Sequence, residues 1–360
     1  MLIIGCDFHP SGQQVLVMDR ETGEVMAERW LSHGGDEVDK FYAALPPGTE
    51  VGVEASGNML WFERKLARYG HRLRTGDAAK IRAADPRKQK HDRRDAQHIA
   101  MLLREGKFPD LRWTPSLRER DLRQLLMHRH KLVRMRAQVK SQLQHIALNQ
   151  GQQKKRQLWT QKGRELLQRL ELELWTARRR DDLLALLDTL QGYCEGLDMA
   201  VQQAAEGDAD ARLLMSHPGI GPVISLAYVL TLGDVGRFDR SRQVVSYLGL
   251  NPAEDSSGER RRLGSISKQG NRFLRLLLIQ GAQTAVRGDA ELGRQYRRLA
   301  AKKNKGVAKV MVARKLAVRM FWILKTQQPY PELVRMRGRS SHPGVETTVV
   351  LSERPASPQT

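Results

Sequence analysis

Four carboxylates, Asp7, Glu54, Asp92 and Asp95, stand out in a chain whose formal net charge is +21. A phosphodiester is cut or transferred most readily when divalent cations hold both the attacking and the departing oxygen, and such cations take oxygen ligands converging from separate elements. Asp7 closes a first apolar run and Glu54 lies near the end of another, while Asp92 and Asp95 are three residues apart in a basic stretch. On a helix that spacing puts both side chains on one face. If the two apolar runs are neighbouring strands, the quartet converges, and two ions about 3.5–4 Å apart can generate a nucleophile and stabilise the departing oxygen. Taken singly, Asp92 and Asp95 read better as surface ion pairs with Lys88, Lys90, Arg93 and Arg94. The ordered quartet favours the metal site, and Arg87, Lys88, Arg93 and Arg94 suit a substrate that is itself a phosphate backbone.

Two further segments could meet nucleic acid. His217–Pro222 reads HPGIGP, similar to the turn of a helix-hairpin-helix, in which Gly219 and Gly221 would expose backbone N–H groups to a phosphate; a tight turn between packed helices accounts for it equally well. Residues 251–271 read NPAEDSSGERRRLGSISKQGN. A serine hydroxyl becomes a nucleophile for phosphoryl transfer only when a base takes its proton and cations neutralise the phosphate. This loop supplies Arg260, Arg261, Arg262 and Lys268, with Asn271 and Arg275 just beyond, but no histidine. Its residues alone therefore favour a nucleic-acid-contacting loop over a catalytic one.

The elements that must position these groups follow from periodicity. Residues 2–5 and 13–18 are apolar and β-branched around a Pro-Ser-Gly turn, and read as a hairpin; 24–30 can add a third strand, 50–55 alternates as a strand, and 71–73 is a short one. Helices are expected at 36–44 and 58–69, giving an α/β domain with a mixed sheet. From Ser116 to Asn149 no proline or glycine interrupts an amphipathic pattern through Leu122, Leu126, Val139, Leu143 and Ile146. After a break at 150–153 a second helical stretch runs through Leu166, Leu167, Leu170, Leu174, Leu183, Leu186, Leu187 and Leu190. Two such helices predict a coiled coil, with Arg129 and Arg136 disturbing its heptad. Residues 216–325 read as a mostly helical unit, and the Pro-, Ser- and Thr-rich end as disordered.

Charge is uneven along the chain. Residues 80–140 carry 18 Lys and Arg against 7 Asp and Glu, and 259–325 carry 18 against 3, whereas 1–79 and 141–258 are slightly acidic. Two basic blocks on near-neutral scaffold point to a polyanion. The opening MLIIGCDFHP has no basic leader pattern, no run approaches the roughly 18 apolar residues of a membrane span, and Cys6 and Cys194 form no CxxC pair. A soluble protein in a reducing, cytoplasmic setting is expected.

Together the residues resemble the DEDD insertion-sequence transposases of the IS110 family. The resemblance rests on the order Asp, Glu, Asp-x-x-Asp, then the helical middle, PGIG, and a Ser-Gly…Gly-x-x-Ser-Lys-x-Gly-Asn-x-x-Leu-Arg segment. It implies a RuvC-like (ribonuclease H type) catalytic domain at 1–112, coiled-coil dimerisation helices at 113–205, a C-terminal transposase domain at 206–327 and a disordered tail at 328–360. It further implies a bacterial, nucleoid-associated recombinase that exchanges strands of target and donor DNA, guided by a structured non-coding bridge RNA. Asp7, Glu54, Asp92 and Asp95 fall on the family's Mg2+-binding quartet, with Mn2+ as a substitute. Ser257, or Ser256 if the shorter loop shifts the match, falls on the serine that forms a covalent phosphoserine. Dimers pairing into a tetramer would bring one subunit's carboxylates to another's serine, which answers the missing base. A junction resolvase activating water and a non-catalytic nucleic-acid-binding protein are the competing readings of the same residues.

Overall fold

The computed structural model describes residues 1–84, 92–111, 113–153, 157–254 and 263–339. They form two compact units, Met1–Thr114 and Pro115–Thr360.

The first unit is built on a mixed five-stranded sheet. β1 (Leu2–Phe8), β2 (Gly12–Asp19) and β3 (Val25–Ser32) form an antiparallel meander, α1 (Glu37–Ala43) crosses over, β4 (Glu50–Glu54) pairs parallel with β1, and after α2 (Leu60–Arg68), β5 (Arg72–Gly76) pairs parallel with β4. The resulting order, β3-β2-β1-β4-β5, is consistent with the expected ribonuclease H type fold. α3 (Ala78–Ala84) and α4 (Asp92–Arg104) complete the unit.

Strand alternation sends residues to two separate cores. Ile4, Cys6, Val51 and Val53 pack with Tyr42 and Phe62 on one face, whereas Ile3, Leu16 and Met18 pack with Ala96, Ile99 and Leu103 of α4 on the other. On that second face Gly5 and Gly52 stand side by side in register, and α4 rests on them. A Cβ on Gly5 would lie 2.6 Å from the Ala100 backbone nitrogen, and one on Gly52 2.7 Å from the Leu103 side chain. At Gly5 main chain therefore meets main chain, whereas at Gly52 the Leu103 side chain fills the space. Gly5→Ala is expected to cost at least about 1–3 kcal/mol, because a rigid backbone cannot yield as a flexible side chain can. Urea unfolding of the full chain checks this, and an unchanged first-unit transition would show that α4 is free to shift.

In the second unit α5 (Leu117–Asn149) begins with a capping box, in which Ser116 Oγ accepts from the Glu119 N–H at 3.2 Å and the Glu119 carboxylate accepts from the Ser116 N–H at 2.7 Å. α6 (Gln161–Gln168) and α7 (Leu174–Glu206) follow. α5 and α7 run antiparallel, as the pairs Arg129–Asp198 at 2.5 Å, Arg136–Gln191 at 2.8 Å and Arg179–Gln142 at 2.9 Å require. The arginines that disturb the heptad thus reach across to α7. The second helical stretch is not continuous as expected: Arg180 Nη1 donates to the carbonyls of Gln168 at 3.0 Å and Leu170 at 3.2 Å, tying off α6 before α7 begins. Leu174 and Leu186, counted as seam residues, are exposed.

The remaining helices, α8 (Ala209–Leu214), α9 (Pro222–Leu232), α10 (Ser241–Tyr247), α11 (Arg272–Gly288), α12 (Ala290–Lys302), α13 (Lys305–Thr326) and α14 (Tyr330–Arg339), surround one large core. Leu126 of α5 and Val201 and Ala205 of α7 belong to that core, so the boundary expected at 205 falls inside a packed unit. Helix α14 occupies the start of the segment expected to be disordered, because Tyr330 is buried and donates its hydroxyl to Asp289, while its N–H donates to Ser216 Oγ at 2.9 Å. Between α10 and α11 lies a two-stranded hairpin, β6 (Pro252–Glu254) and β7 (Leu263–Ile266). Among the described residues no helix is long and apolar enough to cross a membrane.

Candidate nucleic-acid-processing site

The carboxylates come from the ends of two parallel strands. Cys6 pairs with Val53 in register, so Asp7 and Glu54 stand one step further on adjacent strands, about 4.8 Å apart at the backbone. Alternation from Gly5 and Gly52 places both on the α4 face. The helix runs against β1: Arg104, at its end, donates to the Thr22 carbonyl at 3.3 Å beside the start of the sheet, whereas Ala96 covers Gly5. Its beginning, with Asp95 and the backbone of Asp92, therefore overhangs the edge where Asp7 and Glu54 emerge. The Asp92 side chain lies outside the described residues.

Asp7 Oδ2 is 3.1 Å from His9 Nε2, and Glu54 Oε1 accepts from Arg82 Nη2 at 2.7 Å. Neither partner was anticipated from sequence, although His9, two residues after Asp7, lies at the spacing that returns to the same face of a strand. Among the described residues no three His, Cys, Asp or Glu side chains are arranged to hold a metal ion. The donor types nevertheless fit a hard divalent cation: Asp7 and Glu54 at adjacent strand ends and Asp95 at the start of α4 offer oxygen alone, and the first two already attract a nitrogen donor or cation.

The phosphate-contacting residues expected from sequence divide into three groups. Arg94 and Lys268 are exposed, and Arg93, though exposed, pairs with Glu28 at 2.9 Å. Arg87, Lys88, Ser256, Ser257, Arg260, Arg261 and Arg262 lie outside the described residues. Asn271 and Arg275 require correction, since their side chains serve the protein. Asn271 Oδ1 caps α11 by accepting from the Leu274 N–H at 3.0 Å. Arg275 is 8% exposed and its guanidinium donates to the carbonyls of Leu248, at 3.2 Å, and Gln269. A buried guanidinium committed to carbonyls is a strut, not a phosphate clamp.

The strut belongs to a frame beneath the β6–β7 hairpin. Gly249 and Gly270 both have positive φ, and a Cβ on Gly249 would lie 2.5 Å from the Gln269 nitrogen, while one on Gly270 would strike the Tyr247 carbonyl. Ser267 Oγ donates to Asn251 Oδ1 at 2.8 Å and its N–H to the Asn251 carbonyl at 2.8 Å. The Ser-Lys-x-Gly-Asn segment thus fastens the two strands between which Ser256 and Ser257 fall in sequence. Arg275→Gln is expected to loosen this frame by about 1–3 kcal/mol and to lower strand exchange, with the salt dependence of duplex binding unchanged. A log–log salt slope shallower by about 0.9 would instead return Arg275 to the phosphate contacts.

The HPGIGP turn joins α8 to α9. Gly219 is packed on α11, where a Cβ would lie 2.5 Å from the Ala285 nitrogen, and Gly221 faces open space. His217 is buried, and burial pushes its ring down to about 4. It is therefore neutral at pH 7, with Nδ1 donating to the Pro218 carbonyl at 2.7 Å and Nε2 accepting from Arg319 at 3.3 Å. Nearby, Arg294, Arg297, Arg298, Lys302, Lys303 and Lys305 are exposed along α12, the turn after it and the start of α13, at spacings that gather Arg294, Arg297 and Arg298 on one side of the helix.

A mixed sheet presenting strand-end carboxylates beneath a helix, joined in sequence to a basic helical unit, has the build of a DNA-processing enzyme of the transposase class. The chain belongs to the IS110 family of DEDD transposases. A DEDD IS110 transposase model matches residues 4–150, which include all four carboxylates, and the model described as the transposase IS116/IS110/IS902 family matches residues 211–297, which include the serine hairpin. The chain is 30% identical over 342 residues to the "Probable family 20 transposase" of Pseudomonas aeruginosa, spanning 90% of this chain and 97% of that one. It is 30% identical over 205 residues to the transposase for insertion sequence element IS1111A of Coxiella burnetii, 55% of each chain, and 25% identical over 345 residues to that for IS1328 of Yersinia enterocolitica, 90% and 97%.

Proposed function

We propose that this transposase exchanges DNA strands through a covalent phosphoserine at Ser257, with a structured RNA guiding it to target and donor. The emergence of Asp7 and Glu54 side by side from the ends of adjacent parallel strands, under the start of α4, is the observation that supports a metal-dependent phosphoryl transfer, and the family membership supports its use in transposition. Asp7, Glu54, Asp92 and Asp95 would hold Mg2+ or Mn2+, which when bound lowers the pKa of a coordinated hydroxyl and polarises a phosphoryl oxygen.

The chain's own groups divide the remaining work. The parallel strands fix the separation of Asp7 and Glu54, and His9 orients the Asp7 carboxylate. The hairpin frame presents the serine. Its Oγ attacks the phosphorus, the bond from phosphorus to the departing strand oxygen breaks, and that oxygen leaves protonated. A hydroxyl from the incoming strand then attacks the phosphoserine, restoring the serine and rejoining DNA without net hydrolysis. Serine and carboxylates lie in different units, and a site composed across a dimer or tetramer would join them.

Base pairing by RNA would leave the protein to hold backbones, which suits two basic blocks and the exposed cations of α12. Sequencing the nucleic acid that co-purifies with the protein is expected to return one discrete RNA encoded beside the gene. A heterogeneous mixture reflecting total cellular RNA would remove guidance from the proposal while leaving the serine chemistry to be judged by adduct trapping.

A further inference from the structure

The carboxylate edge has an aromatic neighbour that neither core uses. Asp7 pairs with Gln14 of β2, and Gln14 with Trp30 of β3. Residues opposite one another in antiparallel strands share a face, so Asp7, Gln14 and Trp30 form a straight row on the α4 side, continued by Glu54 on β4. Two strand spacings put the Trp30 backbone about 10 Å from that of Asp7, a distance a nucleotide bridges from its phosphate to its own or its neighbour's base.

Trp30 is 47% exposed and lies outside both apolar clusters of the first unit. Its indole is nonetheless seated: it lies over Gly12, where a Cβ would come within 2.7 Å of its Cε2, and the His9 ring is 6.0 Å away at 33°. A cation is anchored alongside. Glu28, two residues earlier on the same face of β3, accepts from Gln14 at 3.2 Å and from Arg93 at 2.9 Å. A held aromatic surface beside a guanidinium and a phosphate-handling edge is the combination that binds unpaired nucleotides, because every base offers a π-face and a seated ring loses little entropy on stacking.

We propose that Trp30 is a stacking platform for one unpaired nucleobase of the DNA strand whose phosphate lies at the carboxylate edge. The site rests on the proposed phosphoryl-transfer reading for its location. It adds a requirement that the strand be opened beside the cut, so that one base leaves the duplex and lies on the indole.

The test uses the full chain in EDTA, so that no strand is cut, with a 12-nucleotide single-stranded DNA and the blunt duplex of the same sequence as probes. Subtracting the emission of Trp30→Phe from that of the unsubstituted protein isolates the Trp30 fluorescence. That difference is expected to be quenched by the single strand and not by the duplex. Trp30→Ala is expected to weaken single-strand binding roughly 5- to 100-fold with duplex binding unchanged, and Trp30→Tyr to restore most of it. Three results would overturn the proposal: a difference emission indifferent to the single strand, equal losses for both probes, or Trp30 already shielded from acrylamide without DNA, which would mean that protein covers it. If Trp30→Ala fails to fold, the Trp30→Phe difference decides alone. Asp7→Asn separates the two readings: strand exchange surviving in that variant would refute the carboxylate chemistry and leave the stacking result standing.

Discussion

Replacing Ser257 by alanine is expected to abolish the covalent protein–DNA adduct, with strand exchange falling by on the order of 10^4–10^6-fold, the scale on which enzymes lose activity when their nucleophile is removed. The adduct is to be trapped on DNA carrying the element's ends and detected as a band that survives denaturation. Ser256→Ala should retain it. Both serines fall in sequence between β6 and β7, and the frame of Gly249, Gly270 and Arg275 is built without either of them, so either substitution changes a hydroxyl and leaves the frame in place. An adduct lost in Ser256→Ala and kept in Ser257→Ala would move the nucleophile by one position. Cutting that survives both substitutions would make water the nucleophile, and the protein a metal-dependent nuclease.

Asp7→Asn is expected to stop strand exchange by at least about 10^2–10^3-fold, comparable to removing one preorganised electrostatic contact from a transition state, while nucleic-acid binding stays intact or tightens slightly. The sign follows from charge when binding is measured in EDTA: with no cation between them a carboxylate repels phosphate, so neutralising it cannot weaken backbone contact. Asp95→Asn should behave alike, because Asp95 stands at the start of α4, next to the residue that covers Gly5. Gel-shift and exchange assays on the same preparations check this, and a parallel loss of binding would assign Asp7 to folding rather than chemistry. His9→Gln should fall between the extremes, lowering exchange without abolishing it, since it removes an orienting partner and leaves the carboxylate.

Much of the first unit was legible because its signals are local. β1, β2 and β4 alternate or run apolar within a few residues, and the turn residues between them are short and polar, so strand positions and the placement of Asp7 and Glu54 at strand ends follow directly. The family of the protein was legible for a related reason: motif order survives in sequence even where no single motif determines a contact. What could not be read was non-local. Nothing near Gly5 says that a helix 91 residues later will lie against it. Arg275 and Asn271 illustrate the opposite error. Each is polar, adjacent to a basic loop, and of a type that binds phosphate, yet each spends its donors or acceptors on backbone groups that only the folded chain brings near. Composition counts charges; it does not show which are already engaged. The α6–α7 break was missed likewise, because leucine spacing continues through residues 166–174 while Arg180, 10 to 12 residues further on, collects the carbonyls of Gln168 and Leu170.

The seat of α4 on the sheet has a consequence for how the site tolerates change in the core around it. Where a helix rests on side chains, each exchange of valine for isoleucine alters its height, and anything mounted on it drifts with the core. Here main chain lies on main chain at Gly5, so the stand-off of Asp95 above the sheet is a fixed contact distance, a gauge block in effect. Exchanges among the apolar residues that flank this point, Ile3, Leu16 and Met18, can tilt the helix but cannot bring it closer at Gly5.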